Sequence, residues 1–189
     1  MWRIVLHLTP LTTVLVLVAF FLGSVGAHRA SELRPDLTRR AAWAALVVWG
    51  LLVGLATLAG DGSEGGSGLV WWGQGVETLL NDSQDQVSGN ERSMVLRQWV
   101  ANCLMFVPLP LLLSLSARGG ASVVRAMAVG LGASVMIEAL QWLQGAGRVV
   151  DLEDVLFNTL GCAVGVGVSV LAGRVVRRWN GRVPVRSGP

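Results

Sequence analysis

The stretch SVMIEALQWLQGAGRVVDLEDVLFNTLGCAVG, residues 134–165, decides how this chain is read. It gives an apolar helix that ends in Glu138-Ala-Leu-Gln141 and a short turn holding Gly147, Arg148 and Asp151. A second apolar helix follows, opened by Asp154 and Asn158. Charged and amide groups are expensive in hydrocarbon, so a group of them between two membrane-length helices marks a functional-site candidate.

Composition supports a membrane setting. Of 189 residues, 52% are hydrophobic and only 14% charged, whereas a soluble domain carries about 25% charged residues. The pI near 10.0 invites a nucleic-acid partner. That class is excluded because the basic residues, all Arg, sit in short segments flanking apolar runs. Cys103 and Cys162 lie inside apolar runs and read as small packing residues, with no disulfide framework or zinc spacing.

Five apolar runs are visible: Ile4–Ala27, Ala41–Ala59, Trp99–Leu115, Val123–Leu143 and Val155–Ala172. A spanning helix needs about 20 residues. The first run ends in Val25-Gly26-Ala27, a small-residue cleavage pattern. The lone Arg3 before it and its length favour an uncleaved helix, with His7 and Pro10 at the helix start. Pro108 and Pro110 predict a kink in the third run. The expected architecture is an all-α polytopic membrane helix bundle of about five transmembrane helices. It divides into 1–60, two N-terminal helices with a basic link; 61–96, an acidic outer loop; 97–173, a three-helix core; and 174–189, a basic tail. Within the loop, Leu69-Val-Trp71-Trp72-Gly is expected at headgroup level, where Trp is favoured.

Arginine placement sets the orientation. With the N-terminus outside and the C-terminus inside, the inner segments hold eleven Arg and the outer ones four; nine acids are outside and two inside. This puts the 145–153 turn on the outer face of the plasma membrane.

At about 100° per residue, Ser134, Glu138, Gln141 and Gly145 share one side of the fourth helix. Asp151, Asp154, Asn158, Cys162, Gly165 and Ser169 share a side of the fifth. Asp151 or Asp154 is expected to cap that helix. Gly161-x-x-x-Gly165 is a small-residue spacing that suits close helix packing. Glu138 lies roughly 10 Å below the helix end, where an ionised Glu costs a few kcal/mol unless paired. Arg148 is its expected partner. Asn102, at the outer start of the third helix, completes the ring through amide hydrogen bonds.

These residues resemble the VanZ-like membrane protein family. The resemblance runs through Asn102-x-x-x-Phe106-x-Pro108, Glu138-x-x-Gln141, Gly147-Arg148-x-x-Asp151-x-x-Asp154 and Asn158-x-x-Gly161-x-x-x-Gly165, over residues 97–172. It implies an integral membrane protein of the cell envelope, with some relatives linked to glycopeptide (teicoplanin-type) antibiotic resistance.

Three functions compete. In the first, an outer-leaflet pocket acts on a lipid-linked or cell-wall component. Glu138, Asp151 and Asp154 serve as general acid and base with Arg148 gripping a phosphate or carboxylate, and Asn102, Gln141 and Asn158 bind substrate. No nucleophile pairing and no cofactor are indicated, although the carboxylates also suit a divalent cation. In the second, the chain is a non-enzymatic accessory protein that masks or presents a lipid or drug through its acidic loop. A transporter fits least, because five helices are few, no repeat is visible and the polar group lies off the midplane. Oligomeric state has no signature in the sequence.

Overall fold

The computed structural model describes residues 8–58, 70–71, 73–80, 89–143 and 150–181. It is a helix bundle. In chain order the elements are α1 (Pro10–Leu33), α2 (Pro35–Leu58), β1 (Val70–Trp71), α3 (Gln74–Leu80), α4 (Gly89–Phe106), α5 (Pro108–Ser116), α6 (Val123–Leu143), β2 (Val150–Asp151) and α7 (Leu152–Asn180). Among the described residues, five helical spans are long and apolar enough to cross a membrane: Pro10–Leu33, Pro35–Thr57, Glu91–Ser116, Val123–Leu143 and Leu152–Asn180. The chain is a multi-pass membrane protein.

Apart from α6, which coincides with its apolar run, the helices run past the apolar runs at one end or both. α1 starts with a capping box, Thr9 and Thr12 exchanging hydrogen bonds of 3.2 and 2.8 Å, with Pro10 in the first turn. It continues to Leu33, so the basic link 28–40 is helical except at Arg34. Pro35 is the cause: a residue before proline is pushed out of the helical region, and Arg34 sits at φ −141°, ψ 70°. The third span is α4 and α5 in sequence, broken at Val107 before Pro108 as the prolines require. Beside that break the Trp49 indole donates to the Met105 carbonyl at 2.8 Å, and its ring meets Phe106 edge-on, 5.6 Å between centroids. The acidic 61–96 segment is helical over Gln74–Leu80 and from Gly89 onward.

Burial is inverted relative to a water-soluble domain. Leu22, Leu51, Leu55 and Val124 are 63–78% exposed, facing where lipid would be. Inward faces are small or polar: Ala126, Gly130, Ser134 and Glu138 on α6, and Asn158, Gly161, Cys162, Gly165, Ser169 and Ala172 on α7. α7 is central and packs against α1, α4, α5 and α6. Its glycines permit backbone contact. A Cβ on Gly161 would collide with the Cys103 carbonyl, one on Gly165 with the Val107 carbonyl, and one on Gly130 with the Cys162 sulfur. Close approach of this kind supplies the dispersion contacts that hold helices together in lipid. Phe106, Leu109, Ile137, Val53 and Cys162 form the apolar centre.

Candidate functional site

The site is built at the end of the bundle where α6 stops, α7 begins and α4 enters. Its residues occupy those positions for local reasons. Glu138 ends the buried Ala126-Gly130-Ser134 row of α6, spaced by one turn. Asp151 caps α7 from an extended conformation, its carboxylate accepting the Glu153 N–H at 2.8 Å. Burial pushes the Asp151 carboxyl above the usual range; the N–H of Glu153 opposes that shift and the Glu153 charge adds to it.

The three proposed acids come together. The Asp151 N–H donates to Glu138 Oε2 at 3.2 Å, tying the two helix ends across the turn. Glu138 is only 5% exposed. Asp154, one turn into α7, takes a 2.5 Å hydrogen bond from Asn102 Nδ2 and another from the Gln98 side chain. The bond from the Asp151 N–H to Glu138, and the one-turn spacing of Asp151 and Asp154, bring the three carboxyl groups to one end of the bundle. Donors from α4 and from the α7 backbone therefore keep the carboxylates in place.

The amides are divided among different tasks. Asn158 Nδ2 donates to Ser134 Oγ at 2.8 Å, linking α7 to α6 below the acids. Its carbonyl oxygen is buried without a hydrogen bond among the described residues, and such an acceptor costs about 1–3 kcal/mol. Gln141 points away from the acids and donates to the Thr57 carbonyl at the end of α2, 3.0 Å. Arg148, the expected partner of Glu138, lies outside the described residues, as do Gly145 and Gly147. Among the described residues, no three His, Cys, Asp or Glu side chains are placed to hold a metal ion.

One residue that the sequence did not single out organises the approach to this site. Glu153 is 4% exposed. Its carboxylate accepts the N–H groups of Gly75 and Val76 and the indole N–H of Trp99, each at 3.2 Å. The Trp99 ring stacks on Phe157, 4.5 Å between centroids and 17° apart. A Cβ on Gly75 would strike the Glu153 carboxylate and the Trp99 ring, so only glycine allows α3 to sit this close. β1 pairs with β2 in parallel, Val70 beside Val150 and Trp71 beside Asp151. Loop segments 70–71 and 73–80 are thereby fixed to the level of the carboxylates. Nothing local announces this: Glu153 and Asp154 are adjacent acids, and their different partners come from segments 50 to 80 residues away.

The VanZ/LLP1 family model matches residues 11–173, and no significant match was found among curated proteins or solved structures. The match takes in α1 and α2 as well as the 97–172 motifs. The chain belongs to the VanZ/LLP1 family.

Proposed function

We propose that this VanZ/LLP1-family membrane protein handles a lipid-linked or cell-wall component at the outer face of the plasma membrane. The reading rests on one observation: Glu138, Asp151 and Asp154 are gathered at one end of the bundle, two of them within spanning helices, by donors from α4 and from the backbone at the start of α7. Hydrogen-bond glue between helices needs one polar pair, as Asn158 and Ser134 make. Three carboxyl groups gathered at one end exceed that need. In this reading Glu138 and Asp154 exchange protons or hydrogen bonds with a hydroxyl- or phosphate-bearing substrate, and Arg148 grips its anionic group. Asn102 positions Asp154, and the Asn158 carbonyl oxygen accepts from a substrate donor. The distribution of Arg in the sequence supports an outward orientation of this end.

A second reading, an accessory protein that presents or masks a ligand, draws on the fixed loop. Glu153 and the β1–β2 pairing bring the 70–80 segment beside the acids, as a binding cover would require. Either way a shift in susceptibility to teicoplanin-type glycopeptides would follow from the altered envelope component.

Lipid and muropeptide profiles test this in a deletion strain complemented with Asp154→Asn. The expected result is the profile of the deletion strain at wild-type membrane abundance; a wild-type profile would count against the pocket. Labelling of Ala146→Cys, in a chain that also carries Cys103→Ala and Cys162→Ala, checks the orientation. A membrane-impermeant maleimide should reach it in intact cells.

A further inference from the structure

The opposite end of the bundle carries an open cleft of about 370 Å³ where α1 turns into α2 and the chain leaves α5. It is lined by His28, Ser31, Asp36, Arg39, Ser114 and Arg118, among others. Arg118 stands in a tight turn, with Gly119 and Gly120 at φ +84° and +78°, values that only glycine adopts without strain. That turn closes one side of the cleft with a guanidinium. Arg39 stands on another side, its side chain only 28% exposed, bridged at 3.3 Å to Asp36, which is 81% exposed. A guanidinium has five N–H donors, and the bridge engages one nitrogen of Arg39. Behind the cleft, His28 shares a contact with Ser169 at 3.3 Å, and Arg177 lies beside it, both over Gly173.

We infer that this cleft binds the phosphate group of an anionic lipid between Arg39 and Arg118, with the Ser31 and Ser114 hydroxyls at its walls. Paired guanidinium groups match phosphate oxygens bidentately. The surrounding charge favours an anion. Segment 28–40 sets four Arg against Glu32 and Asp36, while segments 117–125 and 174–181 add Arg118, Arg125, Arg174, Arg177 and Arg178 with no acid. The depth favours a lipid source over a free ion. Trp43 and Trp179, 54% and 49% exposed, stand near this end on α2 and α7, and exposed Trp marks the headgroup level. Leu33 and Leu37, 75% and 59% exposed beside the cleft, offer apolar surface for acyl chains. This site is separate from the carboxylate end and stands or falls without it.

The test uses the full chain in detergent and calorimetric titration with dihexanoyl phosphatidic acid, dihexanoyl phosphatidylcholine and inorganic phosphate. Phosphatidic acid should bind at least tenfold more tightly than either of the others. The pair Arg39→Gln/Arg118→Gln should weaken it at least tenfold. The pair Arg174→Gln/Arg178→Gln, which removes equal charge from the exposed face of α7, should change it less than threefold. Arg118→Gln alone, on an exposed turn, tests the site with the fold undisturbed and should weaken binding at least threefold. Equal weakening by both pairs would reduce the effect to bulk charge and overturn the cleft. Binding of inorganic phosphate as tight as that of the lipid would overturn the lipid source.

Discussion

The two ends of this bundle meet the same boundary between hydrocarbon and water and treat charge in opposite ways. At one end Glu138 and Glu153 are buried and each is held by named donors. At the other, Arg29, Arg40, Arg118, Arg125, Arg174 and Arg178 are exposed. Arginine can lay its stem along apolar surface while its head stays in water, so such residues need no partner network. A carboxylate drawn below the surface has no such escape and persists only where donors meet it. Partners, more than charge, therefore separate a site from a flank.

This contrast can be broken by substitution. Glu153→Ala would strand three N–H donors and free α3. It should lower stability by about 3 kcal/mol, the upper range for losing hydrogen bonds to a charged group; thermal unfolding in detergent measures it, and limited proteolysis near residue 80 should accelerate. Gly75→Ala acts on the same contact from the other side, forcing the Glu153 carboxylate and Trp99 to move, and should cost about 1–3 kcal/mol. Gln141→Ala removes one hydrogen bond to the Thr57 carbonyl and should cost about 0.5–1.5 kcal/mol in the same assay. At the basic end Arg118→Gln should stay within about 0.5 kcal/mol of the wild type. A large loss there would erase the distinction between the two ends.

Much of the first-order architecture was legible because it depends on local pattern. Hydrophobic length gave the five spans, and helical spacing put Ser134 with Glu138 and Asn158 with Cys162 and Gly165 on inward faces. The prolines at 108 and 110 foretold the break between α4 and α5. The Asn102 contact with Asp154 was foreseeable because both face the bundle axis at one depth. Helix ends were read short, since Arg and Glu beyond the apolar run of α1 are good helix formers and only Pro35 stops it. The clamp on Glu153 was not legible. Its donors are backbone N–H groups of Gly75 and Val76 and the indole of Trp99, and backbone groups leave no trace in composition. The separate task of Gln141, on α2 rather than among the acids, depends on how α2 is placed, which periodicity along α6 does not encode.

Glu138, Asp151 and Asp154 are kept for function, whereas stability rests on Glu153 and the glycine seams. Glu138→Gln tests this division most directly, because the amide keeps an acceptor for the Asp151 N–H while removing the carboxylate. Unfolding and envelope profile should be measured on the same variant. The variant should keep stability within about 1 kcal/mol of the wild type and show the lipid and muropeptide profile of the deletion strain. A wild-type profile from well-folded Glu138→Gln protein would contradict it.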